Sequence, residues 1–174
     1  VLSGAIDYGT GILLVNASET IDVTEASLVD LQRLFLAQTS TDSYVPLLGA
    51  SVQGTDALIV TLKLTETQRA TAVVGSGTPG GDGSALVLDA FAGAVMDIGE
   101  NRNIDQTNLA VVETPDNVHP TVLNTSSIAL GTGILTIEAS ESVDHSSVIV
   151  SGITIRDVIS GGTLINLGGA TPII

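Results

Sequence analysis

The feature that most constrains this chain is a duplication. Gly9-Thr10-Gly11-Ile12-Leu13 recurs as Gly131-Thr132-Gly133-Ile134-Leu135, Ala17-Ser18-Glu19 as Ala139-Ser140-Glu141, and Asp22 as Asp144, each pair 122 residues apart. The second copy runs out about halfway, at Ile174, so the chain reads as one whole repeat and part of another, a segment of an array. A unit of about 120 residues is domain-sized and buries an adequate core without disulfides. The expected division is 1–116 for the first domain, 117–121 for a linker and 122–174 for the first half of a second domain. Arrays of self-similar domains build length, stiffness or adhesive surface more often than active sites.

Composition says what such a unit is made of. Hydrophobic residues make up 44% of the chain but aromatics only 2%, so the core must be aliphatic. Frequent Gly, Thr and Ser suit short strands and many turns. Leu135, Ile137 and Ala139 alternate with Thr136, Glu138 and Ser140, which predicts a strand over 134–139 with a matching one over 12–17. Asn16 stands where Glu138 does, so both face solvent. Further strands are expected at Leu2–Ile6, Leu28–Leu36, Tyr44–Val52, Ala57–Leu64, Ala85–Ala90 and Leu109–Glu113. Thr65-Glu66-Thr67-Gln68 has the form of a capping box and predicts one helical turn over Thr65–Ala72. Ser76–Gly83 reads as a flexible loop, and Pro115–Pro120 as a stiff interdomain linker. The fold class this predicts is all-β, a sandwich.

Charge narrows the partners. Nineteen Asp and Glu stand against five Lys and Arg, net −14, which disfavours nucleic acid and anionic membrane surfaces. No apolar run reaches the length of a membrane span. The chain has no cysteine, which leaves the redox compartment open.

Leu14-Val15-Asn16-Ala17-Ser18-Glu19-Thr20-Ile21-Asp22 and Thr136-Ile137-Glu138-Ala139-Ser140-Glu141-Ser142-Val143-Asp144 resemble the "LTFSE-x-VD" strand of bacterial immunoglobulin-like and cadherin-like tandem repeats. Val95-Met96-Asp97-Ile98-Gly99-Glu100-Asn101 resembles their "V-x-D-x-x-G-N" turn with one extra residue. Asp116-Asn117-Val118-His119-Pro120 is similar to the "D-x-x-x-P" linker that opens the next domain. Asn16 departs from the usual Phe. The resemblance implies immunoglobulin-like Greek-key sandwiches in tandem, in a large extracellular or cell-surface protein that is structural or adhesive, such as a filament or surface hair.

Catalysis has little to work with. The only histidines, His119 and His145, have no duplicated counterparts, and no Ser-His-Asp arrangement is discernible. Glu19 and Asp22 recur as Glu141 and Asp144, and an acid pair repeated in every unit favours structure over glycoside hydrolysis. Gly9-x-Gly11 and Gly80-Gly81-x-Gly83 lack the residues that make a phosphate loop. The expectation is therefore a protein without enzymatic activity.

Calcium is the metal to look for, because it takes hard oxygen ligands from acidic loops. The candidate ligands are Glu19 and Asp22, Asp97 and Asn101, and Asp116 and Asn117, on three loops expected to converge at a domain end. The resemblance points to calcium at such junctions. The other reading of the same loops is a hydrogen-bonded turn at Asp97–Asn101 and an Asx-turn at Asp116. Asn16-Ala17-Ser18 and Asn124-Thr125-Ser126 are N-glycosylation triplets, so Asn16 and Asn124 are candidate sugar sites.

Two functions follow as expectations. One is a structural repeat working by domain stacking and self-association. The other is a calcium-stiffened adhesin module that binds a glycan or protein. Half a sandwich leaves its inner face open, so its missing strands are expected from outside this segment or from a neighbouring subunit by strand complementation.

Overall fold

The structure is a computed structural model and describes residues 1–38, 43–124, 126–157 and 161–173. It is mostly β and divides into two compact units, Val1–His119 and Pro120–Ile174. The division falls inside the Pro115–Pro120 segment.

Unit 1 is built on eight strands: β1 (Ser3–Asp7), β2 (Ile12–Ile21), β3 (Leu34–Ala37), β4 (Ser43–Pro46), β5 (Ser51–Gln53), β6 (Ala57–Lys63), β7 (Val87–Ala90) and β8 (Gln106–Thr114). They form one curled mixed sheet in the order β4-β3-β7-β8-β1-β2-β6-β5. All neighbours are antiparallel except β1 and β8, which run parallel, with Gly4 opposite Val111 and Asp7 opposite Thr114. β8 is the hinge of the curl. Its first half pairs with β7 and its second half with β1. Buried Asp89 holds the irregularity in the β7–β8 ladder, accepting a 2.8 Å bond from the Asn108 amide, and Asn108 has φ +56°.

The sheet curls because its inner positions are aliphatic. Ile6, Leu13, Val15, Leu34, Leu36, Val45, Leu62 and Leu88 are each at most 3% exposed and belong to one core cluster. Each such side chain contributes about 1.5–3 kcal/mol relative to an exposed position. Tyr8 supplies a fully buried aromatic ring, its hydroxyl donating to Glu113 Oε1 at 2.6 Å.

Helix α1 (Glu66–Val74) links β6 to β7. The Thr65–Gln68 capping box forms as expected, with Thr65 Oγ1 accepting from the Gln68 amide and Gln68 Oε1 from the Thr65 amide. The helix runs nine residues, longer than the single turn expected. Gln68 also donates to the carbonyls of Pro46 and Leu48, so the cap residue ties the helix to the β4–β5 turn.

Three local expectations are corrected. Leu28–Leu36 is not one strand. Two 3₁₀ turns, Ala26–Leu28 and Leu31–Arg33, precede β3, because Asp30 caps the second by accepting from the Gln32 amide. Tyr44–Val52 is split into β4 and β5 by Pro46 and by Gly49 at φ +99°. Ser76–Gly83 is a bonded loop: Asp82 and Gly83 donate backbone bonds to Val74 and Ser76, and Gly77 donates to Glu113. A Cβ on Gly81 would lie 2.2 Å from the Ser76 carbonyl oxygen, so only glycine fits there.

Among its described residues unit 2 has four short strands, β9 (Ser127–Ala129), β10 (Ile134–Thr136), β11 (Thr154–Arg156) and β12 (Leu164–Asn166), in two separate antiparallel pairs. None of its described residues is buried. Its hairpin repeats the pairing and turn closure of unit 1 over a shorter ladder. Leu13 pairs with Ile6 and Leu135 with Ile128. Gly11 donates to Asp7 and Gly133 to Ala129, both at 2.8 Å, with the glycines at φ +64° and +71°. Asp22 accepts from the Thr24 amide, and Asp144 from that of Ser146. Two 3₁₀ turns and a strand follow in each unit.

Candidate functional site

The parallel β1–β8 pairing gives unit 1 two poles. The chain begins at one, where Val1 bonds Gln106, and leaves at the other, where Thr114 lies beside Asp7. The ten residues of β2 span the distance between them, about 30 Å. Each candidate metal ligand lies at one pole or the other.

At the N-terminal pole, Glu19 at the irregular end of β2 and Asp97 and Asn101 in the β7–β8 connection line one cleft of about 240 Å³. The strand end is stitched to that connection by an Ile21–Asp97 bridge and by the Asp22 amide donating to Met96. Asp97 is buried and both its oxygens are engaged: Oδ1 accepts from the Asn101 amide at 2.8 Å and Oδ2 from Asn101 Nδ2 at 2.9 Å. These bonds to the charged form, the Asn101 side chain foremost, hold the Asp97 carboxyl below its ordinary value. Asp22 caps Thr24, and Asp56, which sequence reasoning missed, accepts from the Val23 amide and the Thr24 hydroxyl. Those bonds, the Thr24 hydroxyl first, lower the Asp56 carboxyl as well. No motif pointed to Asp56, since its partners lie more than 30 residues away.

At the C-terminal pole stands Asp116. Arg69 is the centre of this cluster and carried no sequence signal. Its guanidinium grips Glu66 with two bonds of 2.7 Å, donates to the Tyr8 carbonyl at 3.0 Å and meets Asp116 Oδ2 at 2.5 Å. Arg69 is 8% exposed, and these partners, Glu66 foremost, raise its pKa further above the usual range. The other Asp116 oxygen accepts from the Val118 amide at 2.9 Å, an Asx-turn, while Asn117 donates to the Pro115 carbonyl. Gly9 lets this segment approach closely, since a Cβ there would sit 3.2 Å from Val118.

The expected convergence of three acidic loops is therefore corrected. Glu19, Asp22, Asp97 and Asn101 gather at one pole, and Asp116 and Asn117 sit at the other. Among the described residues no group of three or more His, Cys, Asp or Glu side chains is placed to hold a metal ion. The Asp97 and Asp116 oxygens accept bonds from Asn101, Arg69 and Val118. The geometry is that of turn locks.

The glycosylation candidates also part company. Asn16 is half-buried in the middle of β2 and donates to Ser3 Oγ at 3.0 Å. Asn124 is exposed, and the Thr125 of its triplet lies outside the described residues. The cleft lining includes neither histidine. Among the described residues no helix is long and apolar enough to cross a membrane. Comparison with protein-family models, with curated proteins and with solved structures found no match for this chain.

Proposed function

We propose that residues 1–116 are an immunoglobulin-like Greek-key repeat, residues 117–121 a linker and residues 122–174 part of another repeat, in an extracellular structural protein of the filament, surface-hair or giant surface-protein kind. It works by stacking domains and by self-association, and it is not an enzyme. The observation that carries the reading is the parallel β1–β8 pair. It brings the chain into unit 1 at one pole and out at the other, which suits a repeat whose entry and exit lie at opposite ends.

Two further observations support it. The strand order splits into β4-β3-β7-β8 and β1-β2-β6-β5, the sheet memberships of an immunoglobulin sandwich with the extra edge strand of the variable type. The Ile6–Leu13 pairing and the Gly11–Asp7 turn bond of unit 1 return in unit 2 at the sequence spacing of the duplication. The net charge of −14 favours solubility of a long array and opposes nucleic-acid partners.

The test is sedimentation of the purified chain over a wide concentration range, with electron microscopy of the same samples. Self-association into linear particles is expected. Monodisperse monomers at every concentration would overturn the reading.

A further inference from the structure

Asp82-Gly83 is the one Asp-Gly dipeptide in the chain, and the sequence has no Asn-Gly. Such a pair reacts with itself. The Gly83 nitrogen attacks Cγ of the protonated Asp82 carboxyl, an N–Cγ bond forms, the Cγ–OH bond breaks, and the hydroxyl leaves with the amide proton as water. Water then opens the cyclic imide. Addition at Cγ restores aspartate, whereas addition at the Asp82 main-chain carbonyl carbon leaves the chain running through Cγ as isoaspartate. Nothing is oxidised or reduced, and the water lost is regained. Glycine in the second position leaves the attacking nitrogen unhindered. A Cβ on Gly83 would meet nothing within 4 Å, and both residues are exposed.

The folded loop opposes each step. The Gly83 amide donates to the Ser76 carbonyl at 3.1 Å and the Asp82 amide to that of Val74 at 3.0 Å, which fixes the backbone on both sides of the carboxyl. Asp82 Oδ1 accepts from the Ser84 amide at 2.8 Å and Oδ2 from Gln38 Nε2 at 2.5 Å. Those bonds, the Ser84 amide foremost, hold the carboxyl below its ordinary value, in the ionised form that does not release water. Gln38 Nε2 also donates to the Gly75 carbonyl at 3.3 Å, so one side chain joins the end of β3 to the end of α1 and to the loop. Gly81 seats the loop on the helix end, where a Cβ would lie 2.2 Å from the Ser76 carbonyl oxygen and 2.7 Å from that of Val73.

We infer that Asp82–Gly83 is a self-modification site gated by the Ser76–Gly83 loop: isoaspartate forms only from the opened loop, and once formed it keeps the loop from closing. The second half follows from length. Isoaspartate adds one methylene to the main chain between the two amides that bond Val74 and Ser76, and the close seat of Gly81 leaves no room to take up the slack. The loop joins α1 to β7, and its Gly77 amide donates to Glu113 Oε2 of β8 at 3.3 Å. The modification therefore records past openings of this helix–sheet seam and makes them permanent.

The test ages the full-length chain at neutral pH beside a synthetic peptide of residues 79–86 with blocked ends, reading isoaspartate at position 82 by fragmentation mass spectrometry. The folded chain should react at least about tenfold more slowly than the peptide, because its rate scales with the fraction of time the loop is open. In denaturing urea the chain should match the peptide. Gln38→Ala removes one bond to the carboxylate and leaves the rest of the loop, so it should quicken the folded chain about two- to threefold. Chain modified in urea and returned to buffer should show unprotected amides at positions 82 and 83 by hydrogen exchange, while unmodified chain treated alike regains protection there. Isoaspartate forming as fast in the folded chain as in the peptide would overturn the gate, and so would a Gln38→Ala rate equal to the parent's. Modified chain that regains protection at both amides would overturn the block on closing.

Discussion

Ile6 and Ile128 occupy the same place in the same hairpin, yet one is 1% exposed and the other 45%. Val15 and Ile137 differ in the same way, 1% against 40%. The backbone bonds are alike, including the 2.8 Å bond that closes the glycine turn in each. The difference teaches that hairpin, turn and cap are written locally, whereas burial of the apolar face is supplied from about 45 or more residues away. The sharpest way to break this comparison is paired truncation. Leu13→Ala should cost about 2–5 kcal/mol, because a fully buried Leu leaves a cavity as well as losing transfer energy. Leu135→Ala should cost less than about 1 kcal/mol, since its site lacks a covering layer. Chemical denaturation of the two variants measures both, and equal losses would sink the distinction between the units.

Next in size is the lock at the C-terminal pole. Arg69→Ala leaves Glu66, the Tyr8 carbonyl and Asp116 without their shared cation, at a cost of about 2–3 kcal/mol given that Glu66 is partly solvated. It should also free Pro115–Pro120, so limited proteolysis there should quicken while the Ser76–Gly83 loop stays resistant. Unchanged cleavage would mean that Asp116 is held by its Asx-turn alone. Unit 2, as described, carries no copy of this helix or its arginine.

How much of this was legible in sequence follows from the same contrast. The hairpin with its Gly9–Gly11 turn, the Thr65–Gln68 capping box and the all-β class could be read because each depends on residues within about four positions, or on alternation. The 3₁₀ turns at Ala26–Arg33 were missed because the apolar run Leu28–Leu36 resembles a strand unless Asp30 is credited with capping. The parallel β1–β8 pair was out of reach, since no local signal joins Gly4 to Val111. That pair decides which acids share a pole, so the separation of Asp116 from Asp97 could not be foreseen. Arg69 and Asp56 were silent for the same reason: their partners are distant in sequence.

A smaller effect sharpens the comparison from the other side. Gly11 and Gly133 both hold positive φ, so alanine at either should strain the turn by about 1 kcal/mol, whatever covers the strand. Amide exchange at the Gly11 and Gly133 bonds should rise by a similar factor in the two variants. A large effect in unit 1 beside none in unit 2 would show that the turn depends on the core and is not local.

The smallest effects concern the acids of the N-terminal pole, and they distinguish a proton from a metal. Asp97 is held below its ordinary value of 3.8 by its bonds from Asn101. The unfolded chain therefore takes up that proton first as pH falls, so the contribution is complete above 3.8 and is lost as pH drops through the lower folded value. The melting temperature should be level down to about pH 4 and then decline, and Asp97→Asn should shallow that decline while lowering the plateau. Asp56 and Asp82, also lowered by hydrogen bonds, should keep part of the acid slope in the variant. Parallel curves for the two proteins would remove Asp97 from the account. Calcium should do nothing at the same site, because a cation would have to displace Asn101 from both carboxylate oxygens. Adding calcium or a chelator at neutral pH should leave the melting temperature where it is, and a chelator-sensitive melt would mean that the turn lock opens to bind the ion.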